Sequence, residues 1–351
     1  MAGIVERSQS LKRESLSDLM TLVDKKSTPL MSQVKRGAAP KNSFVEWPLD
    51  KHKLNLVQTA NYTAGISDNL PQDGADIKDS DFENYDDRTK CSVYLQYARR
   101  VPKVSRLANM VSDVAGVGYK REMSESIAKA LKVHKRDIES TLCSSQETAQ
   151  ETSDAPYQTR GLGKWISSDA QATLAVPSDF RTPEKSIVES ATSAAKEEDL
   201  RGILQSIYDQ TGESDKTFFG LCGTNVKKTI SEFTLFTPRT NNLVVSNRDT
   251  DEGRLSAAID IIDSDFGTIT LNLSSFLAQD ARDSAGAYDA EAGKNTLFIL
   301  NMSQLEACFA EETSVRELPD LGGGPRSIIE SVFSLKSYSG GLDHGKYTLT
   351  A

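Results

Sequence analysis

Histidine and cysteine are scarce in this chain, three and four in 351 residues, and neither is placed for chemistry. His52, His134 and His344 sit in unrelated segments without the HExxH or HxH spacing that would put two ligands on one face. Cys91, Cys143, Cys222 and Cys308 are far apart, with no CxxC pair and no nearby histidine, so they read as buried free thiols and no zinc site is expected. No apolar run approaches the roughly 20 residues a helical membrane span needs. Met1 to Leu30 lacks both an uninterrupted apolar stretch and a small-residue cleavage site, so no secretory signal is expected. The glycine cluster Gly322-Gly323-Gly324 runs into Pro325 where a phosphate loop would need its Lys and Ser or Thr, which leaves a turn. There is no GxSxG elbow and no cysteine beside an evident base. These absences predict a chain that is not an enzyme and takes no cofactor.

Charge narrows the reading further. The net charge of −9 disfavours nucleic-acid binding over most of the surface, because that binding depends on Lys and Arg displacing phosphate counterions. With 38% hydrophobic and 26% charged residues the chain is too apolar for wholesale disorder. Its length suffices for one large domain or two ordinary ones. Residues 1–41 hold eight basic residues against four acids and read as a basic arm. Within it Leu16, Leu19, Met20 and Val23 form one helical stripe, which Thr28-Pro29 ends.

From Asn42 the period becomes two. Val45, Trp47 and Leu49 alternate with Phe44, Glu46 and Pro48, and Cys91, Val93, Leu95 and Tyr97 with Lys90, Ser92, Tyr94 and Gln96, predicting two long strands of one excursion. Between them Asp68 to Asp87 holds eight acids and one lysine, whereas Arg88 to Arg106 has six basic residues and no acid. A loop this long is functional or disordered. Its charge split suggests either an acidic reach onto a neighbouring copy's basic segment or plain solvated surface.

The clearest helix runs from about Tyr119 to Cys143, roughly 37 Å at 1.5 Å per residue, with Met123, Ile127, Leu131, His134, Ile138 and Leu142 on one stripe. Ser144 to Thr159 reads as a surface loop. A mixed α/β region follows: a helix near Glu197 to Gln210, a strand Thr217 to Cys222, and a helix capped by Thr224. Further strands are expected at Ala257 to Ile262, Thr268 to Leu273, Thr296 to Leu300, Ser327 to Tyr338 and Tyr347 to Leu349. Asp260, Asp263 and Asp265 cluster around two of these strands without a metal motif.

The order of local patterns resembles the major capsid proteins of tailed phages with the Hong Kong 97 coat-protein fold. Thr28-Pro29-Leu30-Met31 followed by Phe44-Val45-Glu46-Trp47 is similar to the arm entering the extended loop. Lys135-Arg136-Asp137-Ile138-Glu139 resembles a signature late in the long helix, and Arg160-Gly161-Leu162-Gly163-Lys164-Trp165-Ile166 the segment after it. Asp265-Phe266-Gly267-Thr268 and the run from Glu330 to Leu349 resemble further landmarks.

The resemblance implies an α+β chain with an N-terminal arm (1–41) and an extended β-hairpin loop (42–107). It also implies a peripheral domain (108–165 and 311–351) built on a spine helix at 119–143, and an axial α/β domain (166–310). The implied function is a coat subunit forming the hexamers and pentamers of an icosahedral head shell, assembled in the host cytoplasm and ending in the virion. Portal, scaffold and decoration proteins would be its other partners, with packaged double-stranded DNA in weak, non-specific contact and no membrane. Expected subunit-interface residues are Leu16, Leu19, Met20 and Val23 of the arm and Trp47, Asp73, Asp76, Asp79, Asp81, Arg99, Arg100 and Lys103 of the loop. An encapsulin-like compartment shell is the alternative within this fold; another virion protein and an enzyme with a dispersed site are the rivals outside it.

Overall fold

The apolar-rich strand expected at Ser327 to Tyr338 organises one of the two larger sheets. A computed structural model describes residues 26–50, 73–74, 76, 88–110, 122–168, 176–213, 216–232, 260–281 and 285–350. In it β11 (Arg326–Ser337) is the inner strand of a four-stranded sheet, between β10 (Leu305–Leu318) and β4 (Gln96–Arg100), both antiparallel to it. The short β1 (Lys35–Arg36) completes the sheet, running parallel to β10. The spine helix α3 (Glu122–Leu142) lies across this sheet, where His134 Nε2 and Ser331 Oγ are 2.7 Å apart. That contact puts Ile329, Ser331, Phe333 and Leu335 of β11 on the helix side, and all four are buried. Lys135, Lys132 and Lys129 keep to the solvent side of the helix, as the apolar stripe requires.

The excursion begins as a two-stranded ladder of β2 (Phe44–Leu49) and β3 (Thr89–Tyr94), with Trp47 opposite Cys91 and Phe44 opposite Tyr94. The expected single strand through Tyr97 is instead divided at Leu95. The Leu95 N–H still reaches the Ser43 carbonyl at 2.9 Å, and one residue later the backbone leaves β2 for β11 as β4. Gln96 anchors the change of partner: its side-chain oxygen accepts from Gln146 Nε2 at 2.7 Å and from the Thr159 N–H at 3.2 Å. The 144–159 segment is correspondingly not a surface loop throughout, since Ser144, Thr148 and Thr159 are buried. Thr148 Oγ1 accepts the Tyr94 N–H at 2.9 Å, so a polar side chain there replaces a missing strand partner.

The other larger sheet is six-stranded and mixed. In spatial order it contains β5 (Ile187–Ala191), β12 (Gly345–Thr350), β9 (Thr296–Leu300), β6 (Thr217–Cys222), β8 (Gly267–Leu273) and β7 (Ile261–Ser264). Strand β9 is buried at every position because both faces are covered. Leu297 and Ile299 meet the helices α5 (Glu197–Thr211) and α6 (Thr224–Glu232) through Leu200, Ile203, Leu204, Ile207, Val226 and Ile230. Phe298 and Leu300 face the opposite way, into a core shared with Ile138, Leu142, Trp165 and Phe333. That shared core joins the two sheets.

Helix α5 stops at Gly212, whose φ of 70° lets its N–H reach the Tyr208 carbonyl at 2.7 Å. The β7–β8 turn needs Gly267 for two reasons: its φ is 133°, and a Cβ there would lie 2.7 Å from the Lys216 carbonyl oxygen. Strand β7 begins at Ile261, and residues 257–259 of the expected strand lie outside the described residues. Thr224 is the first residue of α6 and not the residue preceding it. Strand β12, which the resemblance groups with the spine helix in 311–351, is hydrogen-bonded to β5 and β9 of the six-stranded sheet.

Candidate assembly surfaces

Two sequence signatures far apart in the chain meet at the start of the described structure. Pro29 opens the short helix α1 (Pro29–Gln33), where its lack of an N–H costs nothing, so Thr28-Pro29 begins a helix; the one expected before it lies outside the described residues. The Glu139 side chain of α3 accepts both following amides: Oε1 from Leu30 N and Oε2 from Met31 N, each at 2.8 Å. Glu139 has no solvent exposure. Burial pushes its carboxyl above the usual carboxylate range, against the opposing influence of the two N–H groups and Lys135. One turn along, Arg136 donates to the Lys26 carbonyl at 3.2 Å, and Ile138 is buried beside Leu30.

At the base of the excursion, Trp47 is held within the subunit. It is 5% exposed, its ring lies 5.9 Å from that of Trp165, and the Lys336 ammonium sits 5.1 Å above it. The buried Arg160 guanidinium lies over the Trp165 ring at 5.0 Å and pairs with Glu147 at 3.2 Å. The Arg-Gly-Leu segment is thus a support for Trp47. This packing leaves Trp47 little area for a neighbouring copy.

The basic segment divides by strand parity. Arg100 points to α3 and grips Asp137 through two guanidinium nitrogens, one at 2.8 Å. Arg99 is on the other face, near Tyr97, whose hydroxyl donates to Glu330 at 3.0 Å; Glu330 also pairs with Arg316. Arg99 and Lys103 are exposed, and Lys103 is bridged through its backbone to Arg326. Asp73 and Asp76 are exposed. Asp79 and Asp81, with Leu16, Leu19, Met20 and Val23, lie outside the described residues.

Sequence reasoning missed an apolar tip at the end of the four-stranded sheet. Residues 101–107 run beside the β10–β11 turn, joined by Val104 N–H to Pro325 carbonyl and Ser327 N–H to Pro102 carbonyl bonds, each 3.1 Å. This end carries Val101, Val315, Leu107 at 73% exposure and Leu321 at 81%. Isolated exposed leucines are ordinary, but several at one tip mark a contact surface. The only sequence signal was the turn Pro319-Asp320-Leu321-Gly322, in which Asp320 accepts the Gly322 and Gly324 N–H groups and holds Leu321 outward.

His134 and His344 are buried, and His52 lies outside the described residues. The four cysteines are buried thiols, and burial pushes Cys91 and Cys222 up to about 11. Among the described residues no group of three or more His, Cys, Asp or Glu side chains is arranged to hold a metal ion, and no helix is long and apolar enough to cross a membrane.

Comparison with known proteins gives this architecture its relatives. The model of the SU10 major capsid protein family matches residues 4–336. The capsid of cyanophage A-1(L) has a similar fold, with a TM-score of 0.59 at 12% identity over 97% of both chains. The capsid of a native GTA particle gives 0.57 at 10% identity, covering 100% of this chain and 99% of that one. An encapsulin from Synechococcus elongatus PCC 7942, SrpI, gives 0.52 at 10% identity over 96% and 92%. No curated protein sequence matches. The structural likenesses establish the Hong Kong 97-type α+β fold, and the family model, spanning nearly the whole sequence, establishes that the chain belongs to the SU10 major capsid protein family.

Proposed function

We propose that this capsid subunit tiles an icosahedral head shell as hexamers and pentamers around double-stranded DNA, and that it performs no catalysis. The observation that carries this reading is the separation of surfaces. A closed core holds the two sheets together, while the apolar tip around Leu107 and Leu321 and the exposed basic residues Arg99 and Lys103 face outward, each suited to a different neighbour. Each copy then needs only modest contacts, because several neighbours hold it at once and their energies sum over the shell. Burying Leu321 and Leu107 against other copies contributes about 1.5–3 kcal/mol per side chain.

The reading keeps the domain division that the resemblance implies, with one adjustment. The pairing of β12 with β5 and β9 supports placing residues 345–350 in the axial domain. The net charge of −9 supports weak, non-specific contact with packaged DNA. Assembly takes place in the host cytoplasm, with portal, scaffold and decoration proteins as further partners.

Electron microscopy of the expressed chain tests the proposal: closed shells or capsomers are expected, and only small monodisperse species under assembly conditions would overturn it. Shells filled with a protein cargo in place of nucleic acid would move the chain to the encapsulin alternative.

A further inference from the structure

We infer that Glu139 is a positioning residue for assembly: it clamps residues 26–36 to the spine helix and so fixes the arm root that neighbouring copies meet. The inference rests on the capsid reading. A carboxylate in the solvent-side arc of a helix is ordinarily solvated, and Glu139 shares that arc with Lys132 and Arg136. Here the arm root covers it, and both its oxygens are occupied by backbone N–H groups 109 and 108 residues away.

Three more contacts align the same short segment. Arg136 holds the Lys26 carbonyl, Arg36 pairs with Glu312 at 2.8 Å, and β1 adds to the edge of β10. Gly37 follows because the chain passes so close to β10 that a Cβ would lie 2.5 Å from the Glu306 side chain. Between these fixed points is a cavity of about 260 Å³ lined by Met31, Arg36, Leu131, Lys135, Ile138 and Phe309. The segment is therefore seated in the core by Leu30 and Val34 and left open on the side of Met31 and Arg36. Apolar contact is non-directional, so a directional, charge-assisted clamp adds the orientation that burial of Leu30 does not set. Arg36–Glu312 is exposed on both sides and screened by salt, which leaves Glu139 as the buried, directional attachment.

Glu139→Gln keeps one acceptor and turns an N–H donor toward the other amide; Glu139→Ala removes both acceptors. Hydrogen exchange of the full-length unassembled subunit reads the clamp, and electron microscopy of assembly reactions reads its consequence. Exchange in peptides covering 26–36 should accelerate at least tenfold in both variants, with β9 and β11 as protected as in the wild type, and the variants should yield aberrant or open shells where the wild type closes. Unchanged exchange at 26–36, or normal closed shells despite its acceleration, would overturn the clamp. Loss of protection spreading equally through β9 would also overturn it, by making Glu139 a general core residue. Failure of the wild-type chain to form any shell would instead remove the capsid reading beneath it.

Discussion

His344 gives the subunit an acid sensitivity whose size can be worked from its surroundings. Its Nδ1 accepts the Asn301 N–H at 3.2 Å, so the ring proton is on Nε2, 3.2 Å from Ser337 Oγ, which in turn donates to the Gly340 carbonyl at 2.5 Å. A second ring proton would face the Asn301 N–H with nothing to accept it. Burial pulls the imidazole down from about 6.5 to about 4; the adjacent Asp343 opposes this and Lys216 reinforces it. Since the folded value lies below the unfolded one, the unfolded chain takes up the proton first. The contribution is whole above about pH 6.5 and declines as the pH falls toward 4, where both states are charged. At about 1.4 kcal/mol per pH step the full loss is about 3 kcal/mol, a large part of a domain's net stability.

Urea unfolding of the unassembled subunit between pH 7.5 and 4.5 at fixed ionic strength measures the effect. His344→Asn keeps an acceptor for the Asn301 amide and cannot titrate, so its stability should fall less steeply below pH 6.5 than that of the wild type. His134, also pulled down by burial, acts in the same direction in both proteins, so the difference between them isolates His344. Equal slopes for wild type and variant, or a His344 ring resonance titrating near 6.5, would refute the reasoning.

Leu321→Asp and Leu107→Asp should leave the subunit's unfolding free energy in urea within about 0.5 kcal/mol of the wild type, because both side chains are solvated in the single copy, and should block shell closure in electron micrographs. Trp47→Ala should destabilise the subunit by about 3–5 kcal/mol by opening the stack with Trp165 and Lys336; an effect confined to assembly would show that Trp47 serves a neighbour instead. If the acidic tract Asp68 to Asp87 pairs with a neighbour's basic segment, shell stability should fall with salt as the Debye length shortens to about 8 Å and below. Arg99→Ala should weaken that salt dependence while Arg100→Ala, already engaged by Asp137, should not; equal effects of the two would remove the assigned parity.

The elements legible in the sequence are those whose burial is uniform or follows a single period. Thr296–Leu300 reads as a strand because all five positions are covered, and Glu197–Thr211 reads as a helix because one stripe meets the sheet while three acids occupy its first turn. Long β10 escaped notice because its outer half, Glu311 to Leu318, is exposed and has no apolar alternation to display. The division at Leu95 was invisible for the opposite reason, since the alternation continues unbroken while the backbone exchanges one partner for another. Buried polar residues were the hardest to anticipate. Thr148, Thr159 and Glu139 are interior because backbone N–H groups brought from distant segments need acceptors, and a pattern that ranks residues by polarity assigns all three to the surface. The same reason explains why the two signatures at Thr28–Met31 and Lys135–Glu139 look like separate short motifs in the chain although they form one contact. Each supplies half of a hydrogen-bonded joint, and only the fold brings the donors of one to the acceptor of the other.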